Sequence, residues 1–482
     1  MNENNERIIE TKGNLKNGQQ FCPNCGATET YFDTSIGKLF CPYCETIFEG
    51  EKIEESKTGT LEGTIIGSGA RNINEDFNNI MTVRCNGCGA EVVVDTSETT
   101  QKRCHWCRGI LSINERIENG AVPDKILPFK ITKEEAKKEI DKFVHSRTFF
   151  ALPRFKKEYK LENVMGVYLP YMLVDVNANC DFEGEGEHQT RIYWVNDGKE
   201  SRYDANVYKI RRLFNITIDD LTVETNKDKQ DKKTKDKTNN IINAIMPFDT
   251  ENCIRFESRY LTGFTSEKRN INIDGLKSQI EIQIKDVSRH SLNKNLENYD
   301  RGIKWEKENV NVIGTRWMTA YLPVWIYSYY DRTRKQIHYI AVNGRTKELK
   351  GSVPINSLRL YIITGIIVIL SIYLLNIIIN FIGINLLSAF IAFFLLTPAL
   401  ILYEFIKRKY RNIEARHTFE TETKTNTTIF INENTFITER RGMRNERIKG
   451  QNNTRIDAEI INKDNNFIDR YINRMVDKLS NK

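Results

Sequence analysis

The sequence has few of the residues and motifs from which catalytic sites are usually built. Six histidines are scattered through 482 residues, and no HExxH motif occurs. Gly37-Lys38 lacks the other glycine and the Ser or Thr of a phosphate-binding loop, and Gly184-Glu185-Gly186 is acidic and has no third glycine. Gly67-Ser68-Gly69 lacks the wider spacing of a nucleophile elbow. These absences predict that the protein is not an enzyme.

A second absence concerns charge. Charged residues make up 28% of the chain and the formal net charge is +7, yet none occurs from Leu360 to Tyr403. This run of 44 residues is too long for one membrane crossing, which needs about 20 residues. It divides at Asn380–Asn385, so we predict a transmembrane hairpin over 357–406, with helices at about 360–379 and 386–406.

The flanks of this apolar run predict its orientation. Residues 1–20 are polar and do not resemble a signal peptide. Basic residues lie on both sides of the run, whereas the connecting turn has no charge. They are Lys347, Lys350, Arg359, Lys407, Arg408, Lys409 and Arg411. Because positive charge favours the cytoplasmic side, we expect a cell-membrane protein with two spans, both termini in the cytoplasm and the lipid bilayer as a partner.

Cysteine is used in a doubled pattern near the N-terminus. Two CxxC pairs separated by fifteen residues occur twice, and they account for eight of the ten cysteines. The first set is Cys22, Cys25, Cys41 and Cys44, and the second is Cys85, Cys88, Cys104 and Cys107. Two CxxC turns joined by a β-hairpin can place four thiolates around one Zn²⁺ ion. The sequence therefore predicts two zinc ribbons, at 20–50 and 81–112, with one structural zinc ion each.

Two other uses of these cysteines fit the pattern less well. Disulfides are disfavoured because the spacing suits a metal and because the membrane topology places the ribbons in the reducing cytoplasm. Catalytic zinc needs an open coordination position, and no His or carboxylate replaces a cysteine in either set. His105 lies inside a CxxC turn and is expected at the surface or next to a ligand. The isolated Cys180 and Cys253 are expected to be buried thiols.

The remaining sequence predicts a disordered lead at 1–19, a linker at 51–80 and a soluble body at 113–356. A capping box at Thr132 and Glu135 begins a helix that ends near Ser146. Strands are expected at Val164–Val176 and Arg191–Val195, and in pieces from Asn206 to Leu221. The charged segment at 225–240 reads as a solvated linker.

Short motifs of the body recur across that linker. Leu127-Pro128-Phe129 is echoed by Met246-Pro247-Phe248, and Tyr168-Leu169-Pro170 by Tyr321-Leu322-Pro323. A helix is expected inside each pair, the second at about 275–290. We predict two related α+β units, at 113–224 and 241–356, although similar strand chemistry alone could produce the same echoes.

The polar tail at 407–482 is expected in the cytoplasm. Thr428–Ile431 and Thr435–Thr438 could form a hairpin. Apolar residues between Phe467 and Leu479 fall on one helical face. This amphipathic helix could meet a membrane surface, a partner helix or the protein's own body. The predicted fold class is thus a multidomain α+β membrane protein with two β zinc ribbons, a duplicated body, a two-helix transmembrane hairpin and a polar tail.

Several segments resemble a known group. They are Cys104-His105-Trp106-Cys107-Arg108, Leu127-Pro128-Phe129, Asn163–Met172 and Tyr260-Leu261-Thr262-Gly263-Phe264. They look like the bacterial transcription-factor-IIB-type zinc-ribbon-containing membrane proteins, over about residues 80–410. The resemblance implies a fold and a membrane location, and it implies no activity, because the group's function is uncharacterised.

Two functions from different classes fit these features. A membrane-anchored scaffold or adaptor would recruit cytosolic or membrane proteins, whose identity the sequence does not show. The alternative is a membrane-tethered nucleic-acid-binding protein of transcription or replication, which would need basic ribbons. The second ribbon carries Glu91, Asp95 and Glu98 against Lys102 and Arg103, so it is not basic. We therefore expect the scaffold or adaptor. The oligomeric state is not predicted.

Overall fold

The structure is a computed structural model of the chain. It describes residues 6–9, 22–27, 30–33, 36–53, 57–70, 80–84, 91–95, 102–105, 110–111, 116–117, 123–195, 200–225, 245–256, 258–261, 264–267, 269, 271–293, 299, 301–334, 336–382, 399–412 and 424–443.

Twenty strands occur in the described residues. They are β1 Glu6–Ile9, β2 Tyr31–Asp33, β3 Lys38–Phe40, β4 Ile47–Phe48, β5 Gly63–Gly67, β6 Ile80–Arg84, β7 Glu91–Asp95, β8 Lys102–Arg103, β9 Ile110–Leu111, β10 Arg116–Ile117, β11 Lys125–Ile126, β12 Met165–Val195, β13 Glu200–Glu224, β14 Ile254–Arg255, β15 Thr265–Glu267, β16 Gly302–Asp331, β17 Gln336–Asn343, β18 Leu349–Ser352, β19 Arg411–Asn412 and β20 Lys424–Met443.

Helices are fewer than strands. They are α1 Lys133–His145, α2 Pro153–Glu158, α3 Ile273–Asn293, α4 Ser357–Ile382 and α5 at 399–410. Short 3₁₀ turns occur at Thr58–Thr60, Ser68–Ala70, Leu161–Asn163, Thr250–Asn252 and Ser258–Leu261.

Four long antiparallel strands form the centre of the molecule. β12 has 31 residues and pairs with β13 on one side and β16 on the other, and β20 pairs with the outer side of β13. Along β13 buried and partly exposed residues alternate, which is the period of a sheet with one covered face. The predicted break in the strand between 176 and 191 is therefore wrong, because β12 continues from Met165 to Val195 without interruption.

The predicted α+β class with a duplicated body is also wrong. The chain is mostly β, and both halves of the body contribute strands to one fifteen-stranded sheet. The two echoed motifs lie in neighbouring strands, with Leu169 opposite Leu322. Strand β12, before the charged segment, pairs with β16, after it, from Met165 opposite Ile326 to Glu187 opposite Gly302. The body is therefore one sheet and not two α+β units. The remaining domain boundaries stay a prediction.

Helices α1 and α3 form as the sequence predicts. Thr132 accepts a hydrogen bond from the backbone N–H of Glu135, and the Glu135 side chain accepts one from the Thr132 N–H, which is a complete capping box. The apolar residues of α3 pack on the covered face of β12 and β13. They include Leu276, Ile280, Ile284 and Val287, and their partners include Val176, Phe182 and Phe214. Each of the two helices packs on part of the sheet, and this contact buries its apolar face.

Three segments predicted to be irregular or short contain extended strands. Glu6–Ile9 of the predicted disordered lead pairs in parallel with β5, and β5 of the predicted linker pairs in parallel with β16. The predicted tail hairpin is wrong, because Lys424–Met443 forms the single strand β20 along β13. The predicted amphipathic helix at 467–479 and the charged segment at 226–240 lie outside the described residues.

The described residues do not contain the predicted two-helix transmembrane hairpin either. Helix α4 spans Ser357–Ile382 and so extends past Asn380, where the predicted turn begins. Its segment Ser357–Leu374, with a mean hydropathy of 2.0, is the one candidate span in the described part of the chain, judged by length and composition. The second predicted helix is described from residue 399 onward, where α5 packs beside α4 through stacked rings of Tyr361 and Tyr403. Residues 383–398 lie outside the described residues.

Candidate metal centre

Four cysteine sulfurs converge at the first ribbon. The Sγ atoms of Cys22, Cys25, Cys41 and Cys44 all lie within 4.8 Å of one another. Cys22 Sγ is 3.5 Å from Cys44 Sγ, and Cys25 Sγ is 3.6 Å from Cys41 Sγ. A disulfide needs about 2.05 Å, so these pairs are not disulfides, and all four residues are free cysteines.

The distances between the sulfurs fit zinc. A tetrahedral ion with Zn–S bonds of about 2.3 Å separates its sulfurs by about 3.8 Å. The two measured pairs are within a few tenths of that spacing. No fifth ligand is needed, because four thiolates complete the tetrahedron. The first predicted zinc site is therefore supported, for one ion.

The backbone of each CxxC turn holds its sulfurs in place. The N–H of Cys22 donates to the carbonyl of Ala27 at 2.9 Å, and the N–H of Cys41 donates to the carbonyl of Thr46 at 3.0 Å. The residue after each second cysteine has positive φ, at 72° for Gly26 and 55° for Glu45. Gly26 adopts this conformation without strain, whereas Glu45 is a less common residue there. The two turns thus have the same shape despite different residues.

The pKa values of the sulfurs shift in opposite directions. Against a hydrogen bond with the backbone of Ala27, which lowers it, hydrogen bonds with the other cysteines of the site raise the pKa of Cys25 to about 12. Hydrogen bonding with the side chain and with the backbone N–H of Thr46 lowers the pKa of Cys44 to about 6. This cysteine is therefore mostly ionised at neutral pH, which is the form that binds zinc. The nearby ammonium group of Lys38 pairs with Glu49 at 3.0 Å.

The first ribbon is packed against the body. Phe32 and Leu39 are buried in the main core, and the ring of Phe32 lies 4.6 Å from that of Tyr260. The hydroxyl of Tyr260 also accepts a hydrogen bond from the N–H of Gly50 at 3.2 Å. The strand order β2-β3-β4 places Tyr31, Phe40 and Ile47 on the opposite face of the ribbon, because they are paired across the strands. One face of the ribbon is therefore docked and the other faces outward.

The second predicted site is described in part. Cys104 is fully buried in a core cluster with Val92 and Leu127. The other three predicted ligands, Cys85, Cys88 and Cys107, lie outside the described residues, so the second zinc ion stays a prediction. The hairpin β6–β7 of this ribbon joins the main sheet through β15, so its scaffold is continuous with the body.

In this region, the predicted and the observed positions differ most for His105. It is 1% exposed, so a surface position is wrong. Its Nε2 atom lies 3.3 Å from Glu267 Oε1, and its Nδ1 atom lies 3.3 Å from Thr265 Oγ1. Both partners are on β15, so His105 ties the CxxC turn of Cys104 to the sheet. The sequence feature that could have indicated this role is the position of His105 next to the predicted ligand Cys104. Groups that make hydrogen bonds beside a metal ligand often orient the site.

The two isolated cysteines are buried, as predicted. Cys180 and Cys253 are 2% and 7% exposed. Burial raises the pKa of each thiol to about 12. Both are therefore neutral and poor nucleophiles at physiological pH.

One small cavity of about 90 Å³ lies beside β13 and β20. Its lining includes Asp219, Asp220, Asp249, Glu251 and Lys424. Small-molecule sites usually enclose about 300–1,000 Å³, so this cavity is too small for a typical metabolite.

These features indicate a zinc-ribbon site attached to a large antiparallel sheet. The sequence is similar to the uncharacterized protein YdjG of Bacillus subtilis (strain 168), with 23% identity over 337 residues that cover 70% of this chain and 89% of YdjG. No family model matches the sequence. No solved structure matches it either.

Proposed function

We propose that this protein is a membrane-attached, non-catalytic adaptor whose first zinc ribbon presents a surface to other proteins. The observation that carries the proposal is the outward face of a ribbon that is rigidly docked on the body. Tyr31 and Ile47 are 56% and 54% exposed on this face. Their neighbour Phe40 is half-buried between them. Paired aromatic and aliphatic side chains of this kind are typical of protein-binding surfaces.

Zinc has a structural role in this proposal. The first ribbon spans about 30 residues, which is too few for a stable core without a metal. The four thiolates fill the coordination sphere, so no position is left for a substrate. The resemblance to zinc-ribbon membrane proteins supports the same role, and with it a second structural zinc ion at the second cysteine set.

Membrane attachment is supported by the surface of α4. Only 6% of its apolar segment Ser357–Leu374 is buried within the protein. Leu358, Ile369 and Tyr373 are 70%, 66% and 66% exposed. Each large apolar side chain left in water costs about 1.5–3 kcal/mol relative to burial, so this helix needs an apolar environment. Free thiols and the basic residues around the helix favour the cytoplasm for the ribbon.

The adaptor role is tested by crosslinking the full-length protein in membranes and recovering it with its partners. The double variant Tyr31→Ser/Ile47→Ser should lose a defined set of proteins that the wild type retains after nuclease treatment. The matched control Ile192→Ser/Trp194→Ser removes exposed apolar side chains from the C-terminal end of β12 and should retain that set. Recovery that depends on nucleic acid would instead support the nucleic-acid-binding alternative.

A further inference from the structure

A loop of the body lies against the start of α4. The loop runs from Arg147 to Leu152, and α2 follows it. Two backbone hydrogen bonds of 2.8 Å join the loop to the residues before α4, from Asn356 N–H to the Phe150 carbonyl and from Leu152 N–H to the Pro354 carbonyl. The loop therefore has a fixed position beside the candidate membrane helix.

The same loop is joined to α5. Arg147 Nε donates to the Lys409 carbonyl at 2.6 Å, and the Tyr410 hydroxyl accepts a 2.8 Å hydrogen bond from the N–H of Phe150. Phe150 is buried in the main core at 8% exposure. These contacts fix the direction in which the neighbouring residue, Phe149, points.

Phe149 is exposed at this junction. Its side chain is 56% accessible, in contrast to that of Phe150. The Arg359 guanidinium lies 4.3 Å from the centre of the Phe149 ring, and Arg359 is in the first turn of α4. Leu358 and Tyr361, in the same turn, are 70% and 60% exposed. An aromatic ring with a cation over it, next to the exposed apolar start of a helix, is suited to the boundary between lipid headgroups and acyl chains.

Besides Arg359, further cations lie on the elements next to this ring, α2 and α5. Lys156, Lys157 and Lys160 are exposed on and after α2, and Arg359 and Lys409 are exposed at the two helices. None of these five forms an ion pair within the described part of the chain. We call Phe149 and these five residues the collar. Unpaired Lys and Arg side chains close to an anionic membrane surface are attracted to its headgroups.

We propose that the collar is a docking surface for the headgroups of anionic phospholipids, with Phe149 inserted at the boundary between the headgroups and the acyl chains. This inference rests on the proposed membrane attachment and adds to it a preference for lipid charge. The cations bind headgroup phosphates, and the Phe149 ring contacts lipid instead of water. The body is thereby held close to the membrane surface.

The test uses full-length protein reconstituted in vesicles of phosphatidylcholine alone and of phosphatidylcholine with phosphatidylglycerol. A membrane-impermeant reagent acetylates accessible lysines, and mass spectrometry measures each site. Lys156, Lys157 and Lys160 should be acetylated several-fold less in the anionic vesicles, and high salt should restore their labelling. Lys209 and Lys304, exposed on the long sheet, should be labelled equally in both vesicles.

A variant tests the contribution of the Phe149 ring independently of the lysine charges. Phe149→Ser should reduce the protection of the collar lysines, whereas the control Trp194→Ser, at another exposed aromatic residue, should not. Equal labelling in both kinds of vesicle, with the protein still bound after an alkaline carbonate wash, would overturn the collar but not the membrane attachment. Release of the protein by that wash from both kinds of vesicle would overturn both.

Discussion

At the scale of single residues, Asp175 shows how the sheet disfavours an ionised carboxylate. Burial, together with the nearby Asp220 carboxylate, raises the pKa of Asp175 to about 6. Its Oδ1 atom accepts a hydrogen bond from the Asp220 N–H at 2.8 Å, which offsets part of that effect. The folded protein therefore binds the Asp175 proton more tightly than the unfolded chain does.

This difference predicts a pH dependence of stability. The contribution of Asp175 is fully present below the ordinary value of 3.8 and is lost as the pH rises to about 6. Asp175→Asn keeps the acceptor for Asp220 and removes the charge, so it should raise the free energy of unfolding at pH 8 by about 1–2 kcal/mol. Denaturant unfolding at pH 4 and pH 8 measures this. The exposed Asp274→Asn variant is the control, and an equal effect of both substitutions would contradict the account.

Gly314 is a second residue whose identity is set by close packing. A Cβ atom at this position would lie 2.3 Å from the carbonyl carbon and oxygen of Leu61. These are backbone atoms, so no side-chain rotation relieves the overlap.

We expect Gly314→Ala to destabilise the protein by roughly 2 kcal/mol or more, because β5 must move away from β16. Thermal unfolding of the solubilised protein measures the loss. Gly59→Ala is the matched control, because its new Cβ would meet Thr217 at an ordinary 3.8 Å. Similar melting temperatures for the two variants would show that β5 moves freely.

At the scale of elements, α1 begins at a complete capping box. Thr132→Ala removes the side-chain acceptor for the Glu135 N–H and should cost about 1 kcal/mol of stability. Hydrogen exchange should speed up in the first turn of α1, while Thr132→Ser, which keeps the hydroxyl, should leave it nearly unchanged. Equal exchange in both variants would mean that the tertiary contacts of α1 hold its first turn without the cap.

Local signals in the sequence predicted the elements that depend on local contacts. The cap of α1, the apolar period of α3 and the two CxxC turns of the first ribbon each involve residues a few positions apart. The long strands depend on distant partners, such as Leu169 opposite Leu322, and no local pattern specifies that register. The two-helix hairpin was predicted wrongly because composition marks an apolar run but does not fix where a helix ends.

The difference between local and distant contacts also explains which parts of the candidate metal centre could be predicted from the sequence. The spacing of Cys22, Cys25, Cys41 and Cys44 was sufficient to predict four converging sulfurs. The burial of His105 depends on Thr265 and Glu267, which are about 160 residues away, so sequence spacing could not reveal it.

At the scale of the whole molecule, the first ribbon and the body share one core. Phe32 and Leu39 from the ribbon lie in the same cluster as Phe129, Tyr260 and Phe264. Removal of zinc by a chelator should therefore increase hydrogen exchange both in 22–50 and in the body segment at 258–261. Restored protection after zinc is added back is the control. Faster exchange confined to 22–50 would show that the body holds its core without the ribbon.

The pairing of β20 with β13 has a consequence for synthesis. Strand β13 ends at Glu224 and its outer partner begins at Lys424, after the apolar helix α4. A ribosome therefore completes β13 and then α4 before it makes the strand that covers the outer edge of β13. During that interval the edge displays unpaired backbone groups that can join another chain. The growing polypeptide must keep this edge unoccupied until β20 arrives.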